Sequence, residues 1–306
     1  MFRRWWTVTA VATGIVGVGI AWLLARPDGP DPSALLRVIA DCLGATALGL
    51  GLLRTGLFPV RSRPPIWRVT AVVAGGWTAV EAALIVMSAV ESLGGGIGNL
   101  TVSTFGAYLT DITVGQLGLV TVMCTATACV YALWAFRTGT DTSSIPVVAL
   151  AVVALVARPV TGHMSQQVFG ALIVSAHSVA AAVWLGVLAA MALTLRAKGA
   201  WASMLPVYSR LAWWSVWILA VTGAVNAAVK LGGLGALVDT GYGRIVLAKT
   251  VLLVILVLLA RRLRATWLVS VAAHRTKADE STVRAAVHVC ILTLAFGLAA
   301  ALATTA

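Results

Sequence analysis

Charge is what this sequence most lacks. Asp, Glu, Lys and Arg make up 10% of its 306 residues, while 60% are hydrophobic and the mean hydropathy is +0.98. One soluble core cannot hide that much apolar surface, so an ordinary soluble domain is excluded. Acidic residues are scarcer than basic ones, 10 against 22, leaving a formal net charge of +12. The basic residues nevertheless lie between apolar runs and form no single basic face. They therefore read as topology signals and contacts to anionic lipid headgroups, with no nucleic acid as partner. Cysteine is limited to Cys42, Cys124, Cys129 and Cys290, each inside an apolar run. Cys124 and Cys129 are too far apart for a Cys-x-x-Cys pair, and no disulfide framework is indicated. P-loop, His-Glu-x-x-His and Gly-x-Ser-x-Gly motifs are missing, and no soluble domain remains to bind ATP, so a catalytic activity is not expected. Strands of about ten residues with alternating polarity are missing too, which sets aside a membrane barrel.

What the chain has in quantity is apolar stretches of about 20 residues, enough to cross a hydrocarbon core of roughly 30 Å as helices. The expected fold is an all-α, polytopic transmembrane helix bundle in a lipid bilayer, with about nine transmembrane helices. The first follows MFRRWW and runs to Ala25; a signal peptide is disfavoured because the run is long and Leu23 sits where a cleavage site wants a small residue. The others cover about 34–56, 67–90, 111–136, 145–158, 168–195, 207–231, 243–260 and 284–303, with Trp67 expected as an interfacial anchor and LGGGIGNLTVSTFGAY as a Gly-rich loop. Placing the N-terminus in the cytoplasm puts 16 Lys and Arg on the inner side, among them Arg3, Arg61, Arg137, Arg261 and Lys277. Five, Arg26, Arg37, Arg158, Lys230 and Arg244, then fall outside, and Lys249 lies within a span. That bias supports the orientation. The whole chain reads as one transmembrane domain, 1–306.

Ionisable groups in hydrocarbon cost about 2.5 to 3.5 kcal/mol each, so each needs a partner, a wet cavity or a function. Counting at 1.5 Å per residue, Asp41, Glu81, His177, Asn226 and Lys249 all lie roughly 8 to 13 Å below the external surface, with Asp111 shallower. Six polar groups from six helices thus share one layer, as a polar cavity opening outward would require. Lys249 is also the natural partner of Asp41, Glu81 or Asp111 in a structural ion pair. Asn226, four residues after Thr222, fits an interhelical hydrogen bond. His274 falls in a loop, and His288 is expected to be hydrogen-bonded within the bundle. His163 and His177 are both external. Imidazole suits copper, zinc or iron, and the thioether of Met164 favours Cu(I), so His163, Met164 and His177 are the candidate metal residues. Trp184 shares a face with His177 and is placed to floor a pocket.

Four segments in order carry a likeness beyond residue types: HSVAAAVWLG at 177–186, YSRLA at 208–212, VTGAVNA at 221–227 and TGYGRIVLAKT at 240–250. Together they resemble the copper-resistance D family of integral membrane proteins. The likeness covers about residues 160–265; it assigns 145–306 to copper-resistance-D-like helices and leaves 1–140 as less recognisable N-terminal helices. It implies a multi-pass protein of the bacterial cytoplasmic (inner) membrane that handles a copper ion, Cu(I) or Cu(II), alongside a periplasmic copper-binding protein. On that reading external copper is captured near His163 and Met164 and passed to His177, with Asn226 and Lys249 beside the path. A continuous ladder of methionines is not expected, because the chain has six. Two other readings compete: a membrane redox protein with a b-type haem held by two histidines, and a non-catalytic assembly factor for a copper enzyme. Depth disfavours the haem, since His177 is external and His288 internal.

Overall fold

The computed structural model describes residues 2–27, 29–59, 66–94, 96–139, 141–161, 169–233, 235–273 and 276–305. Among these residues there is no strand. The helices are α1 (Phe2–Leu24), α2 (Ala34–Leu52), α3 (Trp67–Ser92), α4 (Val102–Asp111), α5 (Thr113–Thr138), α6 (Ile145–Ala157), α7 (Gly170–Thr194), α8 (Lys198–Leu231), α9 (Ala236–Asp239), α10 (Gly241–Leu263), α11 (Val269–Ala272) and α12 (Ala278–Leu302). Eight are long and apolar enough to cross a membrane, the expected spans except α6. With 13 residues α6 extends only about 20 Å, short of a 30 Å core.

The core is built on α2, α7 and α12, the helices with the largest buried share. Small residues set their spacing. The α7 run from Ala180 to Ala192 is almost wholly buried, and Gly186 meets α2 where a Cβ would fall on the Ala45 carbonyl oxygen. Gly49 of α2 in turn faces the Gly186 carbonyl with no room for a side chain. Because lipid tails are as apolar as the side chains, such close backbone packing is what holds membrane helices together. Gly186→Ala therefore forces α2 and α7 apart, with an expected loss of about 1 to 3 kcal/mol read as a lower unfolding midpoint in detergent. Around this core α1 lies along α12, α3 packs on α5, and α8 and α10 flank α7 and α12 on the other side.

Three local departures from the expected pattern have physical causes. Residues of the Gly-rich loop form α4, started by a capping box in which Thr101 and Thr104 satisfy each other's backbone N–H. Helix α8 begins at Lys198 and runs through Pro206, held by Trp201, Met204 and Leu205 buried before the proline and Tyr208 buried after it. Trp67 is buried, edge-on to Tyr131 at 5.8 Å and beneath the Arg54 guanidinium at 5.2 Å, so it serves the core of that end of the bundle.

Candidate functional site

The short helix α6 determines the first polar cluster. Ending about 10 Å shy of a full crossing, it leaves Arg158 at its C-terminus among neighbouring helices instead of in a loop. Arg158 pairs with Glu81 of α3 and lies 3.5 Å from Asp41 of α2. The second oxygen of Glu81 accepts from Trp77 Nε1 at 3.0 Å, so this buried carboxylate has partners on both sides. Arg37 donates to Ser33 Oγ at 3.3 Å and, with Glu81, Glu91, Tyr108 and Arg158, lines a polar cavity of about 60 Å³. The expectation that Lys249 neutralises these acids is corrected: Arg158 does so, and Lys249 has no ion pair among the described residues. The signal was in the sequence, as the 13-residue length of that apolar run. Asp111 is in neither cluster; it ends α4 exposed, accepting from Thr110 Oγ1 at 2.7 Å.

The second cluster forms where α7, α8 and α10 meet. His177 Nδ1 lies 2.8 Å from Thr222 Oγ1. That hydroxyl donates its one proton to the Ile218 carbonyl of its own helix, so it accepts from His177 and Nδ1 carries the ring proton. The lone pair of neutral His177 is thereby fixed on Nε2, the arrangement in which an imidazole serves as a metal ligand. Gly223 borders the ring at Cε1. Asn226 follows Thr222 by one turn on the same face of α8, and its Oδ1 is buried without a hydrogen-bond partner among the described residues. The interhelical hydrogen bond seen on this face of α8 is made by Thr222. Lys249 lies within electrostatic reach of His177.

The segment at 240–250 has a largely architectural part. Thr240 caps α10 by accepting from the Gly243 N–H at 2.9 Å. Gly241 abuts the Ala25 backbone, which a side chain would obstruct. Arg244 then donates to the carbonyls of Leu24 at 2.6 Å and Arg26 at 2.9 Å, satisfying the end of α1. Lys249 is carried inward on the same helix, so this motif couples a structural clamp to a residue near His177.

Trp184 lies two turns below His177 on α7, and its ring meets His288 of α12 at 6.4 Å between centroids. His288 is buried but makes no hydrogen bond among the described residues, and its Nδ1 is unpartnered, contrary to the bonded role expected for it. His163, Met164 and His274 lie outside the described residues. Among the described residues no three His, Cys, Asp or Glu side chains converge as a metal-ligand set. All four cysteines are free thiols, and Cys129 donates to the Ala71 carbonyl at 3.4 Å.

Fold and site together define a multi-pass helical membrane protein with a histidine-bearing polar face between its helices. Residues 30–167 match Copper resistance protein D-like, N-terminal domain, and residues 202–306 match Copper resistance protein D. The two matches run in order without overlap over more than three quarters of the sequence, and the chain belongs to the copper resistance protein D family. That membership places it in copper resistance and handling. The segments at 208–212, 221–227 and 240–250 fall inside the second match, whereas the His177 segment lies between the two. No curated protein and no solved structure matches the chain.

Proposed function

We propose that the protein carries copper across the bacterial cytoplasmic membrane, with its N-terminus in the cytoplasm and no catalytic step of its own. External copper, delivered by a periplasmic copper-binding protein, is captured near His163 and Met164 and passed to His177. The observation that carries this reading is the Thr222 hydrogen bond, which leaves His177 Nε2 as an available soft-metal donor inside the bundle. The unpartnered Asn226 Oδ1, one turn away, adds a lone pair for a passing cation. The acid and arginine cluster contributes polar surface in the helices beside this face, and Arg158 keeps Asp41 and Glu81 from acting as free anionic traps.

The orienting bond gives a direct test. Thr222→Val keeps the shape and removes the acceptor, so the imidazole is free to turn and to change tautomer. Copper affinity of the purified protein is expected to fall about 10- to 100-fold, the usual effect of losing such an orienting partner, with the unfolding midpoint little changed. Unchanged affinity, measured by competition with a copper chelator, overturns the assignment of His177 as donor. The haem reading has less support: His177 and Trp184 are seven residues, roughly 10 Å, apart along α7, and His288 packs at the Trp184 level, too far for both imidazoles to bind one iron.

A further inference from the structure

At the opposite end of the bundle from Asp41 and Arg37, a second cavity of about 80 Å³ lies between α7, α8, α10 and α12. Its walls are mainly apolar and aromatic, including Trp184, Trp213 and Trp267, and its floor includes His288. Two guanidiniums, Arg261 and Arg264, line it, and no acidic residue does. The nearest acid along α12, Glu280, is already paired with Arg284 at 2.5 Å. Immediately after α10 the backbone widens into a π-helical turn, Arg264–Leu268, which supplies Arg264, Trp267 and Leu268 to the cavity wall. Such turns inside regular helices often mark functional sites. Arg264 is held by donating to Ser209 Oγ at 2.9 Å and the Ser209 carbonyl at 2.7 Å, and lies over the Trp213 ring at 5.7 Å. It is thus fixed as one wall of the cavity, with Arg261 one turn before it on α10.

We propose that this cavity binds the headgroup of an anionic phospholipid, with its phosphate against Arg261 and Arg264. Charge complementarity decides the class: two cations without an acid in the lining favour an anion and oppose a copper ion there. Position decides the source. The arginines stand about 20 residues, roughly 30 Å, along the helix that begins at Gly241, at the depth of headgroups, and basic pockets between transmembrane helices are suited to anionic lipid. The cavity is too small for a whole lipid, and the acyl chains have a path along the bilayer-exposed side chains of the same two helices, such as Trp217 of α8 and Leu258 of α10. His288, lining the inner wall without a hydrogen bond among the described residues, offers a polar contact at the deep end.

The test is lipid retention by the purified full chain in detergent, read by native mass spectrometry after supplying phosphatidylglycerol or phosphatidylcholine. One phosphatidylglycerol is expected to be held in preference to phosphatidylcholine. Arg261→Gln should weaken that preference roughly fivefold, and Arg261→Gln with Arg264→Gln roughly twenty-five-fold, from the attraction per basic residue at a membrane surface. Because Arg264 also braces Ser209, the cavity-filling Ala212→Leu serves as an independent variant and should lower retention with both arginines intact. Equal retention of the two lipids, or phosphatidylglycerol binding untouched by Arg261→Gln and Ala212→Leu, overturns the proposal. So does thermal stabilisation by inorganic phosphate equal to that by phosphatidylglycerol, which would assign the site to a soluble anion. Copper binding does not enter any of these readouts.

Discussion

His177→Ala is expected to reduce copper-dependent accumulation in cells to the level without the protein, while the chain inserts and folds as before. Thr222 already fixes the ring proton on Nδ1, so the variant removes one specific lone pair, that of Nε2, from the interior of the bundle. Loss of an orienting partner alone reduces metal affinity about 10- to 100-fold, and loss of the donor itself should exceed that. The bonded partner it leaves is the Thr222 hydroxyl, which keeps its hydrogen bond to the Ile218 carbonyl, so the substitution strands no charged partner of His177. Accumulation at the unsubstituted level, with expression matched, would remove His177 from the path. It would favour an assembly role in which the polar face is purely structural. A Soret band from the purified protein would instead restore the haem reading.

The largest effect on stability is expected at Arg158. Arg158→Leu strands the buried Glu81 carboxylate, leaving it the hydrogen bond from Trp77 Nε1, and also removes the guanidinium 3.5 Å from Asp41. Breaking a buried ion pair on one side costs about 3 to 5 kcal/mol because the remaining charge is uncompensated. The double variant Arg158→Leu with Glu81→Gln should recover most of that, since no full charge is then stranded at Glu81. Denaturation in detergent measures both. Lys249→Leu is the informative contrast. Lys249 has no ion pair among the described residues, so its removal should leave no stranded carboxylate and should shift stability far less. A Lys249→Leu loss as large as that of Arg158→Leu would show that the acids depend on Lys249 after all.

Much of the architecture was legible because the bilayer imposes one requirement everywhere. Every backbone polar group must be paired within its own segment, so long apolar runs can only become helices, and their number and order follow from hydropathy. The same counting placed Asp41, Glu81 and His177 at similar depths. Partnerships were not legible, because depth fixes one coordinate and contact needs the other two. By depth Lys249 had three plausible acidic partners, Asp41, Glu81 and Asp111, and the short α6 brings Arg158 to the first two instead. His288 illustrates the converse. Its residue type and position indicated a bonded group, yet the packing of α12 on α7 sets it against Trp184 with its Nδ1 unpartnered.

By itself, then, the sequence determined that the chain is an all-helical membrane protein and located its eight membrane-length helices, whereas the ninth expected span, 145–158, is too short for a full crossing. Its four ordered segments also carried the family likeness that the matches over 30–167 and 202–306 bear out. Tertiary structure alone decided that Arg158 serves the acids, that Thr222 orients His177, and that two arginines share a cavity near His288. The physical reason is that hydropathy is read along one helix at a time, whereas rotation and neighbour choice are set by close contacts such as Gly186 on Ala45. Those contacts lie between residues far apart in the chain.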